Sequence, residues 1–292
     1  MTLNTSGKPM TATIIDTDAG FAPDDTIALL LALNSPELNL KLVVTGDEVA
    51  GKRYRFVRHF LELAGREDLR VVEGIDQNHH DFLAHEFIQD FTYPLDMDYL
   101  GEMKKVVDAS ERVKYIGMQG FTNLANYFQA YPADISKFDI FQMGGSVKYV
   151  RRPGWIEHNM SLDPKAAREV LRSGTNVHLI TADTTFQPEY EMHATTPFFQ
   201  KLVRSRHPLH QLVVQQCVDW YEAKEQRPFI HDPVTVAAAL QQGVVEYYFP
   251  QTVEVSSTGQ LSEVEEGPKI YISRADSHNW KIWRLLEERV FS

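Results

Sequence analysis

The sequence predicts an α/β fold built on a mainly parallel, open sheet with helices on both faces. Short runs rich in β-branched and apolar residues alternate with segments in which apolar residues recur at helical spacing. The chain has 292 residues, which suits one large α/β domain. No linker rich in Pro, Gly or Ser divides it. We therefore expect residues 1–292 to form a single domain.

The alternation gives each element in order along the chain. The predicted strands are residues 11–15, 40–44, 69–72, 113–118, 138–143 and 177–181. The predicted helices are residues 24–33, 53–64, 122–131 and 163–172, with residues 195–223 mostly helical and a closing helix at 280–290. Repeated strand and helix imply a Rossmann-like parallel sheet, because parallel strands need a crossover connection. Residues 247–257 and 269–274 predict a small peripheral β unit.

Composition limits the classes of function. The formal net charge of -11 argues against broad nucleic-acid binding, which needs a basic surface, and against an anionic membrane as partner. The single cysteine, Cys217, excludes an intrachain disulfide and a zinc site built from cysteines, and its helical context is typical of ordinary packing. The first ten residues are polar, and no run of about 18 apolar residues occurs, so we expect a cytoplasmic protein.

Four carboxylates, Asp16, Asp18, Asp24 and Asp25, follow the first predicted strand within ten residues. Parallel sheets bind ligands beyond the carboxyl ends of their strands, so this position is informative. Capping of the next helix accounts for one or two of the acids. The others repel one another unless a cation compensates, and oxygen ligands suit a hard ion such as Ca²⁺ or Mg²⁺. The segment therefore predicts a metal site.

Other sites that place acids after a strand fit less well. A calcium-binding EF-hand loop is excluded because Ile27 stands where its bidentate Glu should be. The glycine pattern of a dinucleotide-binding loop is absent. A phosphatase of the haloacid dehalogenase type would use Asp16 as nucleophile and Asp18 as acid/base. Its motif wants Gly followed by Thr or Val soon after the second Asp, whereas this chain has Phe21 and Ala22.

Three further segments place polar residues at predicted strand ends or helix starts. His231-Asp232-Pro233 opens the apolar helix 234–240, and Ile156-Glu157-His158-Asn159 precedes the helix at 163–172. Gly120-Phe121-Thr122-Asn123 follows the strand that ends at Met118. Proline after an acidic cap is common at a helix start, so each segment alone is a weak signal.

Together and in this order, the segments resemble the inosine-uridine preferring nucleoside hydrolase family. Its signature D-x-D-P-G-x-D-D is similar to Asp16-Thr17-Asp18-Ala19-Gly20 followed by Asp24-Asp25, with alanine for proline and a short insertion. Its T-G-P-L-T-N, M-G-G, E-F-N, D-P-E-A-A and H-D-P stretches are similar to residues 117–123, 143–145, 157–159, 163–167 and 231–233. The resemblance covers residues 13–272, nearly the whole chain.

The resemblance implies one Ca²⁺ ion per chain. Its ligands would be Asp18, Asp25, Asp232 and the backbone carbonyl of Met118. Asp18 would also take a proton from the attacking water, whose pKa the cation lowers.

The resemblance also assigns roles around the sugar. Asp24, Asn159 and Asp232 would bind the ribose hydroxyls, and Glu157 would contact the 5′ side. Carboxylates around the sugar fit an oxocarbenium-like transition state. His231 matches the residue that assists departure of the base by proton donation; the alternative is a capping or core histidine.

The chain departs from the family pattern at three places. Asp47 occupies the place of an Asn that contacts the ribose. Arg151 falls where the family has an Asn for the 5′-hydroxyl, and a guanidinium suits an anion instead. The alternative is that Arg151 pairs with Glu157 or points to solvent. The H-G-x-x-G-L-G stretch of the base pocket is absent, and His79-His80 lie in a different context.

Two aromatic residues are candidate walls of the base pocket. Tyr221, upstream of His231 on a predicted helix, suits this role or equally the core, and Trp155 is the second candidate. The resemblance implies that a ribonucleoside or related N-riboside is hydrolysed to base and ribose in purine or pyrimidine salvage, by a homodimer or homotetramer. A non-catalytic ribose-binding protein of the same fold and the phosphatase remain the alternatives.

Overall fold

A largely parallel sheet organises the structure. The computed structural model describes residues 10–88 and 94–291. The strands in those residues are β1 Ala12–Thr17, β2 Leu40–Thr45, β3 Arg70–Glu73, β4 Val113–Gly117, β5 Phe138–Met143, β6 Asn176–Ile180, β7 Gln251–Val255, β8 Leu261–Glu263 and β9 Lys269–Ile272. Their order across the sheet is β3-β2-β1-β4-β5-β6-β9-β7-β8. The first seven strands in this order pair in parallel, whereas β7 and β8 are antiparallel to their neighbours.

Helices cover both faces of the sheet. The α-helices in the described residues are α1 Pro23–Leu33, α2 Lys52–Leu63, α3 Tyr99–Asp108, α4 Thr122–Ala130, α5 His158–Leu162, α6 Pro164–Leu171, α7 Ala182–Thr185, α8 Pro197–Arg204, α9 Pro208–Lys224, α10 His231–Leu240 and α11 Asn279–Val290. Ile15 and Val43 belong to the core on the face of α1, α2, α9 and α10. Ile14 and Val44 belong to the core on the face of α3, α4 and α6. Successive strand residues therefore serve opposite cores, which requires apolar residues at consecutive positions.

β1 is a central strand. All six of its residues are buried, and it pairs with β2 on one side and β4 on the other. Its carboxyl end consequently lies in the middle of the sheet edge, between the ends of two parallel neighbours. The acidic segment that follows β1 is therefore held where open α/β sheets bind ligands.

The predicted fold class is confirmed, and the differences in detail include one helix, α3, and the placement of the peripheral β unit. α3 was not predicted; it begins after Asp98, whose side chain accepts the N–H of Gly101 at 3.0 Å, and it buries Met103 and Val107 at helical spacing. The predicted peripheral β unit continues the main sheet, because β9 pairs with β6.

Three smaller expectations concern Cys217, membrane-spanning segments and the first residues of the chain. Cys217 is buried on α9, in agreement with ordinary packing. None of the described helices combines the length and apolar composition that crossing a bilayer requires. Residues 1–9, most of the polar segment that contributed to the expectation of a cytoplasmic protein, lie outside the described residues.

Candidate active site

Two helix starts meet at the carboxyl edge of the sheet. After β1 ends at Thr17, the chain turns at Gly20, whose φ of 112° lies in the region that favours glycine, and enters α1 at Pro23. α10 packs along α1, and the backbone N–H of His231 at its start donates to Asp24 at 3.2 Å. Helix N-termini stabilise negative charge, because unpaired N–H groups and the helix dipole point outward there. Two such ends therefore lie beside the acidic segment.

Asp24, Asp25 and Asp232, here called the aspartate cluster, form the centre of a candidate metal site. Each offers a carboxylate oxygen within 4.8 Å of the others, and all three residues are buried. Burial, followed by the charges of neighbouring carboxylates, raises the pKa of Asp24 to about 7 and holds the pKa values of Asp25 and Asp232 well above their usual range. Thr17 Oγ1 donates to Asp25 at 2.5 Å. A divalent cation would offset this buried negative charge, and oxygen-only ligands fit a hard ion.

The other two predicted ligands, Asp18 and Met118, line the same cavity as the aspartate cluster. The charge of Asp18 helps to raise the pKa values of all three cluster carboxyls, as expected for a carboxylate that faces them. The backbone carbonyl of Met118 accepts a hydrogen bond from Asn159 Nδ2 at 3.3 Å. The residues predicted for the metal are thus assembled around one space, although they come from three distant parts of the sequence.

Asp16, by contrast, is wholly buried within β1 and does not belong to the described residues that line the cavity. Its carboxylate accepts hydrogen bonds from the Tyr115 hydroxyl, from Gln119 Nε2 at 2.8 Å and from Asn123 Nδ2 at 3.0 Å. Burial raises the pKa of Asp16 to about 7 against the opposite effect of these bonds. Asp16 therefore ties β1 to β4 and α4, and it presents no nucleophile to the cavity.

Arg53 is a buried cation that the sequence analysis did not single out. Its Nη1 donates to the backbone carbonyl of Asp18, and its Nε donates to that of Asp47 at 2.7 Å. Its Nη2 donates to Asp47 Oδ2 at 3.2 Å and to the carbonyl of Asp81 at 2.9 Å. The guanidinium therefore fixes the backbone of a predicted metal ligand. The sequence could have indicated this role, because Arg53 stands at helical spacing before the buried apolar residues of α2 and therefore shares their buried face.

Asp47, predicted as a ribose contact, belongs to this buried network. Its Oδ2 lies 2.9 Å from His79 Nδ1 as well as beside Arg53. Its Oδ1 is buried without a hydrogen-bond partner among the described residues. One oxygen of Asp47 thus holds the network, and Asp47 is wholly buried and is not among the described residues that line the cavity.

We expect Arg53→Met to destabilise the fold and to weaken cation binding. The change leaves the Asp47 carboxylate and three backbone carbonyls without their donor, and breaking a buried ion pair costs about 3–5 kcal/mol of the free energy of unfolding. Urea unfolding and calorimetric Ca²⁺ titration measure the two effects. Arg55→Met, at a partly exposed position of the same helix, is the matched control. Arg53→Lys keeps the charge but loses the planar fork. A folded lysine variant with native Ca²⁺ affinity would show that the fork does not position Asp18.

Glu157 and Asn159 line the cavity, and each also holds backbone groups around it. The Glu157 carboxylate accepts the N–H of Gly145 at 2.7 Å and two N–H groups at the start of α5. It therefore caps α5 and fixes the turn after β5. The side-chain amide of Asn159 donates to the carbonyls of Met118 and Met143 at 3.3 and 3.2 Å.

His231 lies at the start of α10 in an aromatic surrounding. Its ring centre is 4.5 Å from that of Phe186 and 5.6 Å from that of Phe229. Its Nδ1 lies 2.7 Å from Thr185 Oγ1, which fixes the orientation of the ring. Burial, followed by the charge of Arg151, lowers the pKa of His231 to about 3, so the imidazole is neutral at pH 7.

Aromatic side chains form much of the wall of this cavity, whose volume is about 510 Å³. Trp155 lines it, as predicted. The aromatic lining residues that the sequence analysis did not predict are Phe21, Phe186, Trp220 and Phe229. Tyr221 is not brought to the cavity but is exposed to solvent on α9, because one helical step turns it about 100° away from Trp220. Of the four, Phe21 could have been predicted from the sequence, because it is a large aromatic residue inside the acidic segment.

Arg151 lines the cavity but does not pair with Glu157. Its Nη2 donates to Gln226 Oε1 at 2.5 Å, and its guanidinium carbon lies 5.4 Å from the centre of the Phe186 ring. Three backbone N–H groups already occupy the Glu157 carboxylate. Within the described part of the chain, Arg151 forms no ion pair.

Comparison with known proteins identifies similar sequences across this fold and site. The model of the family described as inosine-uridine preferring nucleoside hydrolase matches residues 13–288. The pyrimidine-specific ribonucleoside hydrolase RihA of Photobacterium profundum is 29% identical over 256 residues, which cover 78% of this chain and 79% of that protein. RihA of Salmonella newport is also 29% identical, over 254 residues with the same coverage of both chains.

Solved structures resemble the chain over almost its whole length. A plant nucleoside hydrolase, PpNRh1, superposes with a TM-score of 0.81 at 23% identity and covers 97% of this chain and 99% of its own. A purine-preferring ribonucleoside hydrolase from Gardnerella vaginalis superposes with a TM-score of 0.78 at 20% identity, covering 96% and 98%. At these identities the structural likeness shows the fold.

Proposed function

Because the chain belongs to the inosine-uridine preferring nucleoside hydrolase family and is therefore an N-glycosidase that hydrolyses ribonucleosides, we propose that it does so with one Ca²⁺ ion. The proposed ligands are Asp18, Asp25, Asp232 and the backbone carbonyl of Met118. The observation that carries this proposal is the buried aspartate cluster, whose carboxylate oxygens lie within 4.8 Å of one another at two helix starts, with Asp18 in the lining of the same cavity.

The proposed reaction is attack of water on the anomeric carbon of the ribose. A cation held by these residues would lower the pKa of the attacking water. Asp18 takes the proton from that water as general base. The glycosidic electron pair leaves with the base, and the surrounding carboxylates stabilise the positive charge that grows on the sugar. The products are the free base and ribose.

We propose that the ribose hydroxyls bind to Asp24, Asp232 and Asn159. The Asn159 amide nitrogen already donates to two carbonyls, so a hydroxyl would donate to its Oδ1. The unpartnered Oδ1 of Asp47 is a further proposed acceptor, which a ribose hydroxyl would satisfy. Glu157 remains the proposed contact on the 5′ side, where it also holds the start of α5.

We propose that His231 assists departure of the base, with Trp155, Phe186 and Trp220 flanking the base. A neutral imidazole carries one proton. If the Thr185 hydroxyl donates to Nδ1, that proton is on Nε2, where it donates a hydrogen bond to the leaving base. The aromatic walls suit a flat heterocycle, which packs well against ring faces.

The two alternative functions receive less support from the structure. A phosphatase would need Asp16 as nucleophile, but three donors surround its buried carboxylate. A protein that only binds nucleosides would not need Asp18 beside the aspartate cluster, where a base can take a proton from water. Binding of a nucleoside without release of ribose would support that second alternative.

Release of free ribose from a panel of inosine, adenosine, uridine and cytidine tests the proposed function. We expect turnover of at least one nucleoside, loss of turnover after chelation of divalent ions, and recovery with Ca²⁺. Recovery with Mg²⁺ but not with Ca²⁺ would contradict the assignment of the ion. Full activity in the chelated, metal-free enzyme would contradict the proposed mechanism.

The assembly and the location of the protein are further proposals. We propose that residues 1–292 act as one catalytic unit in a cytoplasmic homodimer or homotetramer that serves nucleoside salvage. Light scattering coupled to size exclusion measures the number of subunits, and a mass that fits a monomer would contradict the proposed assembly.

A further inference from the structure

We propose that the preferred substrate is an N-riboside that carries a negatively charged group, a carboxylate or a phosphate, and that Arg151 binds this group. The inference deepens the proposed function and rests on it. Negative and positive lining residues differ in burial. The aspartate cluster is buried, whereas the exposed residues that line the cavity include four cations. These cations are Arg151, Arg152, Lys224 and Arg227. Four cations around one opening are notable in a chain with a formal net charge of -11.

Two of the four cations have an acidic partner, whereas neither Arg151 nor Arg152 forms an ion pair among the described residues. Lys224 Nζ lies 3.5 Å from Asp81 Oδ2 and 4.6 Å from the centre of the Phe21 ring. Arg227 Nη1 lies 3.6 Å from Glu191 Oε2. Arg151, by contrast, has only neutral neighbours among its described contacts, namely Gln226 and the Phe186 ring. These neighbours orient the guanidinium without neutralising it, which leaves its charge for a ligand.

The carboxylate that could have neutralised Arg151 is occupied elsewhere. Glu157 also lines the cavity, but its two oxygens accept the N–H of Gly145 and two N–H groups of α5. These bonds keep Glu157 as a cap of the helix. An anion that enters with the substrate would therefore meet Arg151 without competing with a built-in partner.

Arg151 lies near His231, the residue proposed to act at the glycosidic bond, and this position limits where on the substrate the anion can be. The Phe186 ring contacts the Arg151 guanidinium and lies 4.5 Å, centre to centre, from the His231 ring. One aromatic ring thus separates Arg151 from the residue proposed to assist the leaving base. An anionic group within reach is either a carboxylate on the base or a phosphate on the 5′ carbon. The shared chemistry is a planar or tetrahedral oxyanion that accepts two N–H bonds from one guanidinium.

Matched substrate pairs test the inference. Uridine and orotidine differ by a carboxylate on the base, and uridine and uridine 5′-phosphate differ by a phosphate on the sugar. We expect kcat/KM for one anionic member to exceed that for uridine by about tenfold or more, as a charge-assisted hydrogen bond allows. Preference for orotidine places the anion on the base, and preference for the 5′-phosphate places it on the sugar. The preference should shrink as salt is added.

Arg151→Gln should lower kcat/KM for the preferred anionic substrate by about tenfold or more and reduce its advantage over uridine. Arg206→Gln, an exposed position outside the cavity, is the matched control and should change neither value. Hydrolysis of uridine with no advantage for either anion would overturn the inference and leave the proposed function intact. If no riboside is hydrolysed, the proposed function fails, and calorimetric binding of the same three ligands decides the inference. Equal dissociation constants in wild type and Arg151→Gln would then overturn it.

Discussion

We expect Asp232→Asn to abolish nucleoside hydrolysis and to remove most of the Ca²⁺ that the proposed site would bind. Asp232 comes from α10, and its carboxylate lies within 4.8 Å of those of Asp24 and Asp25 from α1. An amide keeps the shape but supplies a weaker, neutral ligand. Loss of the cation removes several kcal/mol of transition-state stabilisation, so we expect kcat/KM to fall by about 10³-fold or more. Asp18→Asn should have an equally large effect on turnover, because it also removes the proposed base. Ribose release and metal analysis of the dialysed proteins measure both quantities.

The thermal stability of Asp232→Asn separates loss of the cation from general unfolding. In metal-free protein, the substitution removes one of several buried carboxylates that repel one another, so Tm should rise or stay the same. The increase in Tm on addition of Ca²⁺ should shrink, since less cation binds the folded state. Asp68→Asn, at an exposed carboxylate that pairs with Arg66, is the control and should behave as wild type. Full metal occupancy with near-normal rates in both Asp18→Asn and Asp232→Asn would rule out the proposed mechanism.

We expect His231→Ala to slow hydrolysis of natural nucleosides by about 10²-fold, the usual scale for a group that assists departure of the leaving group as an acid. The ring is held by Thr185 Oγ1 at 2.7 Å and by contacts with Phe186 and Phe229, so it is preorganised beside the cavity. A p-nitrophenyl riboside has a leaving group that needs no proton. Its hydrolysis should therefore be affected far less, and steady-state kinetics on the two substrate types measure the difference.

Thr185→Val provides a milder test of the same role. The substitution keeps the shape of the side chain but removes the hydroxyl that contacts His231 Nδ1. We expect a smaller loss on natural nucleosides than in His231→Ala, and again little loss on the p-nitrophenyl riboside. Equal losses on both substrate types in His231→Ala would mean that His231 positions the ribose or the cation instead of assisting the leaving group.

Local sequence patterns were sufficient to predict the fold class and to detect the resemblance to the family. The parallel sheet was predictable because its central strands are largely buried on both faces and therefore contain short apolar runs, such as Ile14-Ile15 in β1. The family assignment was predictable because the acidic segment and His231-Asp232-Pro233 are contiguous motifs in a fixed order. α3 escaped prediction because its buried face consists of a few residues, among them Met103 and Val107, between polar positions.

The partners of individual side chains within the site could not be predicted from the sequence. Asp16 and Asp18 are two residues apart and equally acidic, yet one is enclosed by three donors and the other lines the cavity. Tyr221 and Trp220 are adjacent, and the phase of α9 decides which of them reaches the cavity. These outcomes depend on the direction of each side chain relative to neighbours that are distant in sequence.

The sequence by itself determined the alternation of parallel strands and helices, the family and the residues proposed to bind the cation. These properties follow from short motifs and from periodicity, which are written locally along the chain. Only the tertiary structure decided that Arg53 fixes the backbone of Asp18, that Glu157 is occupied as a helix cap, and that Arg151 meets Gln226 and Phe186. Each of these contacts joins segments that approach one another when helices pack on the sheet. Hydrogen bonds act over about 3 Å, so their partners are set by the folded geometry.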